Sequence, residues 1–254
     1  MSLKPLIELQ GVGKTFPNGT VALAGMSVEI GAGSFVSFLG PSGCGKSTAL
    51  RLIAGLAAPS TGEVRLDTTA ASDASAYDVG FVFQEPTLMP WTSVRRNVYL
   101  PLKLKGVGFD DAAMRIDEAL ERVGLSEFAN AYPRELSGGM KMRVSIARAL
   151  VTRPRVLLMD EPFAALDEMT RSRLNDDVLE LWRANRWTVV FVTHSVYESV
   201  YLSNRIIVMA ARPGRVVDDI AIDAPYPRGE SFRLSSEYSE YCRQVSASLQ
   251  GKHR

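Results

Sequence analysis

Three short stretches of this chain have residue types and spacings suited to phosphate chemistry. The first, residues 40–47, reads Gly-Pro-Ser-Gly-Cys-Gly-Lys-Ser and fits the G-x-x-x-x-G-K-[ST] pattern. Its glycines let backbone N–H groups surround an anion, Lys46 adds a positive charge, and the Ser47 hydroxyl suits Mg²⁺. The predicted nucleotide contacts are Gly40, Pro41, Ser42, Gly43, Cys44, Gly45, Lys46, Ser47 and Thr48. Because no histidine lies nearby in sequence, Cys44 is interpreted as a small filler and not as a catalytic thiol.

The second stretch is a pair of carboxylates, Asp160 and Glu161, which directly follow the apolar run 156–159. A parallel strand ending here places both side chains at the carboxyl edge of a sheet, where phosphate loops also lie. Asp160 would hold Mg²⁺ directly or through water, and Glu161 would orient and deprotonate the water that attacks a γ-phosphate. The competing interpretation is an ordinary polar strand end.

The third stretch is Ser137-Gly138-Gly139, at the start of a helix predicted over residues 137–151. Ser137 can cap this helix and bind an anion, and the two glycines expose N–H groups at its positive end. A plain helix cap is the alternative.

Hydrophobic patterning predicts the elements that position these stretches. Short β-type runs occur at residues 7–9, 26–30, 35–39, 63–66, 79–83, 156–159, 189–192, 206–209 and 216–220. The central runs are almost continuously apolar, as in parallel strands buried on both faces. The phosphate loop lies between the strand 35–39 and a helical pattern at 48–56, which is the context that its motif requires. Further helices are predicted at 110–123 and around an apolar face of Leu174, Val178, Leu181 and Trp182.

The phosphate loop, the Ser-Gly-Gly turn, the Asp-Glu strand end and a downstream histidine, His194, occur in one order. In this order the chain resembles the ATPase subunits of ABC transporters over nearly its whole length. The resemblance implies an α/β fold: a P-loop NTPase core with a mainly parallel sheet, an antiparallel β subdomain and an inserted α-helical subdomain. We expect the N-terminal part of the ATP-binding core at 1–84, the helical signature subdomain at 85–151, the rest of the core at 152–222 and a C-terminal helical extension at 223–254.

The resemblance also implies how the third stretch works. In the family, the signature turn of one subunit closes over the γ-phosphate held by another, so that two ATP molecules lie in a head-to-tail dimer. Ser137, Gly138 and Gly139 match that turn. Met140 stands where the family more often has Gln, which leaves the backbone N–H groups in place but removes a side-chain amide.

Four single residues match family positions one by one. Phe16 stands where an aromatic ring stacks on adenine, and Gln84 where a glutamine joins the Mg²⁺ and water site to the helical subdomain. Asp167 matches a loop that crosses the dimer interface, and His194 an imidazole that hydrogen-bonds the γ-phosphate; Ser195 replaces a more usual Asp. The competing interpretations are a core residue for Phe16, a polar strand end for Gln84, a helix cap for Asp167 and a structural histidine for His194. The predicted catalytic residues are Glu161, His194, Gln84 and Lys46, and the predicted Mg²⁺ ligands are Ser47, Gln84 and Asp160.

Two motifs narrow the resemblance to the importer subgroup for nitrate, sulfonates, taurine and related compounds. They are residues 85–94 followed by Asn97, and the run Ala-Arg-Pro-Gly-Arg at 211–215. The first lies where the family forms the groove that receives a coupling helix from the membrane subunit. Leu88, Met89 and Trp91 are therefore expected to be exposed apolar groups, with ordinary packing in the helical subdomain as the alternative.

Composition excludes several other functions. The 29 Lys and Arg nearly balance the 28 Asp and Glu, so no overall field attracts nucleic acid, and none is expected as a partner. No apolar run reaches the roughly 18 residues of a membrane span, and the N-terminus has no secretory core. Two cysteines, Cys44 and Cys242, form no disulfide framework. Residues 68–76, all Ala, Ser, Thr or Asp, predict an exposed loop, and a face of Tyr238, Tyr241, Cys242, Val245 and Leu249 predicts a packed C-terminal helix.

Together the motifs predict the ATP-hydrolysing, Mg²⁺-dependent subunit of an ABC importer. The resemblance implies a homodimer of ATPase subunits, integral membrane permease subunits, an extracytoplasmic solute-binding protein and a peripheral place on the cytoplasmic face of the cell inner membrane. A soluble ABC ATPase in repair, translation or cluster assembly is the alternative, but the chain has neither a long coiled-coil insertion nor a second cassette. A small-molecule P-loop kinase would leave the Ser137 turn, Glu161 and His194 without a purpose.

Overall fold

The computed structural model describes residues 5–67 and 79–251. The exposed loop predicted at 68–76 lies outside these ranges. In chain order the strands and helices are β1 (Ile7–Thr15), β2 (Val21–Ile30), β3 (Phe35–Leu39), α1 (Lys46–Ile53), β4 (Thr61–Leu66), β5 (Val79–Val82), α2 (Val94–Leu104), α3 (Phe109–Arg122), α4 (Gly138–Leu150), β6 (Val156–Asp160), α5 (Glu168–Asn185), β7 (Thr188–Thr193), α6 (Val196–Leu202), β8 (Arg205–Ala210), β9 (Arg215–Ala221), α7 (Glu230–Arg233) and α8 (Ser236–Leu249). Short 3₁₀ helices occupy Ser126–Phe128 and Pro133–Glu135.

The chain divides into two compact units, of which the first comprises Met1–Tyr77 and Arg186–Arg254. One of its sheets is antiparallel, with the strand order β2-β1-β4. β1 and β2 are longer than the predicted runs at 7–9 and 26–30. Their additional residues include Gly11, Gly13 and Gly25, and the pairing of β1 with β2 and β4 shifts register several times. Glycines and register shifts break the alternation of apolar residues, and this explains why the pattern predicted only one end of each strand.

The other strands of this unit are β3, β7, β8 and β9, and the phosphate loop follows β3. β3 lies between β7 and β8 and pairs in parallel with both, and β9 pairs antiparallel with β8. Every residue of β3 and β7 is buried, which agrees with their nearly continuous apolar sequences. Leu39 and Thr193, the last residues of the two strands, are register partners. The residues that follow them, Gly40 and His194, therefore begin at the same edge of the sheet.

The first unit ends in two helices after β9. α8 begins at a Ser235 cap whose hydroxyl accepts the Tyr238 N–H at 3.0 Å. Tyr238, Cys242 and Val245 are buried, and Tyr241 and Leu249 are partly buried, so the predicted apolar face of this helix is confirmed.

The second unit, Asp78–Asn185, is mainly helical and contains the parallel strand pair β5 and β6. α3 has Asp110 and Asp111 in its first turn and Arg122 in its last, as the helix dipole favours. Its chain reverses at Gly124, whose φ of +67° is in the left-handed region that glycine adopts easily. α5 buries Leu174, Asn175, Val178, Leu179 and Trp182. The predicted α/β P-loop fold with antiparallel strands and a helical insertion is confirmed.

No helix in the described parts of the chain combines the length and the apolar composition required to cross a bilayer.

Candidate active site

The phosphate loop connects the end of β3 to the start of α1, as its motif predicts. Gly45 caps α1 with φ +91°, and the Ala49 N–H donates to the Gly45 carbonyl at 2.9 Å. The Lys46 side chain is only 4% exposed and turns back into the loop. Its Nζ donates to the carbonyls of Gly40 at 2.8 Å and Pro41 at 3.1 Å. The ammonium therefore lies inside the loop, where it can also face a bound phosphate.

The glycines of this loop have different surroundings. A Cβ on Gly45 would lie 2.6 Å from the Ala22 carbonyl oxygen, and one on Gly40 would lie 2.5 Å from the Met209 carbonyl oxygen. By contrast, a Cβ on Gly43 would meet no atom within 4 Å, although its φ is +76°. Gly40 and Gly45 are thus required by neighbouring backbone, whereas Gly43 lies at an open face. An open face lined with exposed backbone fits a phosphate group.

Gly214 supports the phosphate loop from behind and was not among the predicted site residues. Its N–H donates to the Ala22 carbonyl at 3.1 Å, and its own carbonyl accepts the Ala24 N–H at 2.9 Å. A Cβ there would clash with the carbonyl oxygens of Cys44 and Ala22. The sequence marks the run at 211–215 only as a subgroup motif, whereas the structure shows that the position of Gly214 leaves no room for a side chain.

His194 lies in the turn between β7 and α6 with an exposed side chain. The residues on either side hold this turn in place. Thr193 donates its hydroxyl to the Glu198 carboxylate at 2.5 Å and accepts the Ser195 N–H at 3.0 Å. Ser195 in turn accepts the Glu198 N–H at 3.3 Å, as the cap of α6. Thr193 and Glu198 were not predicted, and both are buried.

Phe16 lies in a tight turn after β1. Its N–H donates to the Thr20 carbonyl and its carbonyl accepts the Gly19 N–H, each at 2.9 Å. The ring is 38% exposed, and the Lys14 ammonium lies 5.7 Å from its centroid. A ring exposed to this extent is not a core residue, and one of its faces can receive a planar ligand.

In the second unit, the carboxylate pair lies at the end of a buried strand. Asp160 is the last residue of β6 and is buried, whereas Glu161 is partly exposed. Glu161 has φ +44°, a left-handed conformation that is uncommon outside glycine and costs of order 1 kcal/mol or more. Gln84 follows β5, which pairs in parallel with β6, and its side chain is exposed. The sheet therefore brings Gln84, Asp160 and Glu161 to one edge of this unit.

The Ser137 turn has the geometry of a helix cap. Ser137 is extended at φ −66° and ψ 165°, and its hydroxyl accepts the Met140 N–H at 3.3 Å. Ser137 and Gly138 are exposed, and Gly139 is buried. A Cβ on Gly139 would lie 2.7 Å from Thr170 Cγ2 of α5, whereas one on Gly138 would lie 3.3 Å from the tip of Leu166. The turn therefore leaves its first two residues, Ser137 and Gly138, on an accessible surface.

Asp167 is exposed and caps α5. The Thr170 N–H donates to its carboxylate at 2.9 Å, and these hydrogen bonds lower the pKa of the Asp167 carboxyl. The carboxylate is therefore charged near neutral pH. The structure thus contains the helix cap that was the alternative interpretation of Asp167.

Residues 85–93 form a loop that is held from inside the unit by Asn97, in the first turn of α2. The Asn97 side chain donates to the carbonyls of Ser93 at 3.1 Å and Thr92 at 3.2 Å and accepts the Met89 N–H at 2.7 Å. Trp91 at the tip is 74% exposed, whereas Leu88 and Met89 are partly buried. The expectation of exposed apolar groups therefore holds best for Trp91.

The predicted site residues fall into two sets, one in each unit. The first unit contains Phe16, residues 40–48 and His194, and the second contains Gln84, Ser137, Gly138, Gly139, Asp160, Glu161 and Asp167. Across the described ranges, no group of three or more His, Cys, Asp or Glu side chains could hold a metal by itself. Mg²⁺ is usually bound by one or two protein oxygens together with phosphate oxygens and water. Each of the predicted ligands has a side-chain oxygen of a type that Mg²⁺ accepts: the Ser47 hydroxyl in the first unit, and the Gln84 amide and Asp160 carboxylate in the second.

These features define an α/β ATPase of the P-loop class. A family model described as ABC transporter matches residues 23–164. The chain is 46% identical to a putative ATP-binding protein of Brucella abortus over 93% of its length and 90% of the relative. It is 43% identical to the aliphatic sulfonates import ATP-binding protein SsuB of Bacillus cereus, covering 89% of this chain and 91% of that one. It is 41% identical to the nitrate import ATP-binding protein NrtD of Synechocystis, covering 91% and 89%. The chain therefore belongs to the ABC transporter family, as one of its ATP-binding subunits.

Solved structures agree with this assignment. An ATP-binding cassette in a dimeric post-hydrolysis state, bound to ADP and Pi, matches with a TM-score of 0.74 and 35% identity; the match covers 86% of this chain and all of that one. The cbiO1 protein of Clostridium perfringens, part of the transporter complex cbiONQ, matches with a TM-score of 0.78 and 28% identity over 98% and 97% of the two chains.

Proposed function

We propose that this ATPase drives an importer for a small oxyanion such as an aliphatic sulfonate or nitrate, and that it works as a Mg²⁺-dependent head-to-tail homodimer. It lies peripherally on the cytoplasmic face of the inner membrane, bound to permease subunits that receive solute from an extracytoplasmic binding protein. Relatives named as sulfonate and nitrate import proteins support the solute class. This chain does not itself contact the solute in the proposed cycle.

The observation that carries the dimer proposal is the open start of α4. Ser137 and Gly138 are exposed, and the first N–H groups of a helix have no partner within the helix. N–H groups at the start of a helix can bind a phosphate. In the proposed function, the phosphate loop of each chain also holds a phosphate, as part of its own nucleotide. A second copy, turned head to tail, supplies that anion as the γ-phosphate of its own nucleotide. The dimeric solved relative with ADP and Pi supports this arrangement.

In the proposed reaction, each predicted site residue has a separate role. When bound, MgATP supplies the γ-phosphoryl group that is transferred to water. The phosphate-loop N–H groups and Lys46 hold the phosphates, with Ser47, Gln84 and Asp160 as the Mg²⁺ ligands. Glu161 orients the attacking water and accepts its proton, and the His194 imidazole hydrogen-bonds the γ-phosphate. Phe16 stacks on the adenine, and Asp167 lies at the dimer interface.

Residues 85–97 form the contact with the permease. A tryptophan that is 74% exposed on a loop braced by Asn97 is typical of a protein interface, where aromatic residues provide much of the binding energy. The loop begins directly after Gln84, which belongs to the predicted Mg²⁺ and water site. A movement of the loop on permease binding would therefore displace Gln84.

The decisive variant for this function is Glu161→Gln, which keeps the size of the side chain but removes its ability to take a proton. We expect phosphate release to fall by about 100-fold or more, because general-base catalysis commonly contributes that much. With ATP and Mg²⁺, the variant should accumulate as a dimer in size-exclusion chromatography, and removal of Mg²⁺ or replacement of ATP by ADP should return it to monomer.

Glu127→Gln is the matched control, because Glu127 is exposed in the same unit and far from β6 in sequence. It should hydrolyse ATP at the wild-type rate. Turnover by Glu161→Gln close to the wild-type rate would contradict the role of Glu161. Loss of turnover without any ATP-dependent dimer would contradict the head-to-tail arrangement and leave the catalytic role intact.

A further inference from the structure

Side chains of the segment after β9 donate hydrogen bonds to backbone carbonyls of helix α6. The carbonyls of the last turn of a helix have no partner within the helix. In α6 these carbonyls are met by two side chains. Arg228 Nη1 donates to the carbonyls of Val200 at 2.9 Å, Tyr201 at 3.0 Å and Ser203 at 2.8 Å. The Tyr226 hydroxyl donates to the remaining one, Leu202, at 2.9 Å.

Arg228 is buried deeply for this purpose and is only 5% exposed. Its other terminal nitrogen donates to the Ala224 carbonyl at 2.9 Å, and its guanidinium lies 4.1 Å from the centroid of the Tyr226 ring. Removing a charge from water is costly unless hydrogen bonds and favourable dipoles compensate. The negative end of the α6 dipole and five carbonyl contacts provide this compensation.

The same segment also binds the first turn of α6. The Tyr238 hydroxyl, from α8, donates to the Tyr197 carbonyl at 3.0 Å. Tyr201 of α6 donates its hydroxyl to the Arg228 carbonyl at 2.9 Å. Both ends of a seven-residue helix are therefore fixed by residues between 226 and 238.

α6 begins immediately after His194. Its cap, Ser195, and its buried Glu198 form the hydrogen bonds with Thr193 that define the His194 turn. At the other end of α6, the Ser203 hydroxyl lies 2.5 Å from that of Ser37 in β3, the strand that leads into the phosphate loop. The position of α6 therefore decides where the imidazole lies relative to that loop.

We infer that Arg228 and Tyr226 are positioning residues for His194, and that the C-terminal segment acts in ATP hydrolysis by holding α6 in register with β3. This inference rests on the role of His194 in the proposed function. The hydrogen bonds of Tyr226, Arg228 and Tyr238 described above go to α6 and to Ser203 directly after it, so we expect the segment to affect the rate of hydrolysis and to leave nucleotide binding unchanged.

The test compares three variants of the full chain. Arg228→Lys keeps a positive charge but has only one nitrogen, so it cannot hold the carbonyls at the end of α6 and the Ala224 carbonyl together. Tyr226→Phe removes only a hydroxyl. Tyr241→Phe is the matched control: it removes a hydroxyl in the same segment, and that hydroxyl accepts the Asp223 N–H at 3.2 Å, outside α6. We expect kcat to fall about tenfold for Arg228→Lys and about threefold for Tyr226→Phe, with the KM for ATP within about twofold of wild type. Tyr241→Phe should retain both constants.

Each variant is then repeated in a His194→Ala background. If Arg228 and Tyr226 act through His194, their substitution there lowers kcat little further, because coupled residues are not additive. A segment that merely stabilises the fold would lower kcat by the same factor in both backgrounds, and that result would overturn the inference. Wild-type kcat for both Arg228→Lys and Tyr226→Phe would overturn it as well.

A second readout needs no nucleotide. The chain has only two histidines, His194 and His253, so imidazole NMR signals are assigned with His253→Gln. The His194 signal should shift or broaden in Arg228→Lys and Tyr226→Phe and stay unchanged in Tyr241→Phe; an unchanged signal in all three would contradict the inference. Wild-type turnover by His194→Ala alone would instead show that the proposed role of His194 is wrong, and the positioning role would fall with it.

Discussion

The phosphate loop and the Ser137 turn both lead into a helix and both rely on glycine, but their glycines differ in what surrounds them. In the phosphate loop, a Cβ on Gly40 or Gly45 would collide with backbone carbonyl oxygens of the same unit. In the Ser137 turn, a Cβ on Gly138 would meet a side-chain atom of Leu166, and one on Gly139 would meet side-chain atoms of Thr170 and Leu174. Gly40 and Gly45 are restricted by backbone atoms of the strands β8 and β2, which a substitution cannot remove, whereas Gly138 and Gly139 are restricted by side chains that can be substituted.

This difference matches the division of work in the proposed dimer. In the phosphate loop, the Lys46 ammonium is hydrogen-bonded to the carbonyls of Gly40 and Pro41, so a side chain of the loop itself helps to hold its shape. The Ser137 turn keeps its outer side open, and only the inner glycine packs against α5. A site completed by a second chain needs this open side.

The largest effect is expected for Gly45→Ala. An alanine at φ +91° is strained, and its Cβ at 2.6 Å from the Ala22 carbonyl oxygen forces backbone to move. Strain and overpacking together should lower the free energy of unfolding by about 3 kcal/mol and abolish measurable ATP binding. Thermal unfolding and calorimetric titration with ATP measure the two effects.

Gly43→Ala separates the two causes, because Gly43 has φ +76° but open space around its Cβ position. It should lose only the conformational part, about 1 to 2 kcal/mol. Equal melting temperatures for Gly45→Ala and Gly43→Ala would mean that the backbone contact at Gly45 does not affect stability. The proposed difference between the phosphate loop and the Ser137 turn would then be wrong.

Gly139→Ala should have a smaller effect, because the obstacle is one methyl group. Its Cβ would lie 2.7 Å from Thr170 Cγ2, and we expect a loss of about 1 to 3 kcal/mol in the free energy of unfolding. Thr170→Ser removes that methyl group, so the double variant should recover most of the loss. Chemical denaturation of both single variants and the double variant tests this.

Gly138→Ala serves as the comparison, with a change in unfolding free energy within about 1 kcal/mol, because the Leu166 tip at 3.3 Å can move aside and alanine favours the helix. Failure of Thr170→Ser to rescue Gly139→Ala would show that backbone, and not α5, restricts this glycine.

The sequence predicted the place of these loops in the fold better than it predicted the residues that support them. Local sequence patterns predict the phosphate loop, the strand before it at 35–39 and the α/β class. They do so because a buried parallel strand and a glycine motif are each recognised from a short run of consecutive residues. The role of Gly214 as a brace could not be predicted, because it depends on Ala22 and Cys44, which are distant in sequence.

Arg228 shows the same limit. An arginine in a polar segment reads as a solvated charge. Its burial depends on the helix α6 ending next to it, which only the folded chain reveals. The hydrogen bond between Thr193 and Glu198 could not be predicted either, because hydrophobic periodicity does not identify buried polar side chains.

The smallest effect on stability, and the sharpest test of the open turn, comes from two serine caps with nearly the same geometry. Ser137 caps α4 at φ −66° and ψ 165°, with Met140 N–H at 3.3 Å from its hydroxyl. Ser93 caps α2 at φ −67° and ψ 165°, with Arg96 N–H at 3.4 Å. Replacing either by alanine should cost about 1 kcal/mol in the free energy of unfolding, as for a typical cap.

Only Ser137→Ala should also slow ATP hydrolysis, because in the proposed dimer its hydroxyl binds the partner's γ-phosphate as well as capping α4. We expect turnover to fall by about tenfold, the effect of roughly one lost charge-assisted hydrogen bond, while Ser93→Ala keeps the wild-type rate. Steady-state phosphate release by the purified chains, at matched folded fractions, measures this difference. If the two variants lose stability equally and both retain full turnover, Ser137 is a helix cap and nothing more, and the anion site at the start of α4 must rely on backbone N–H groups alone.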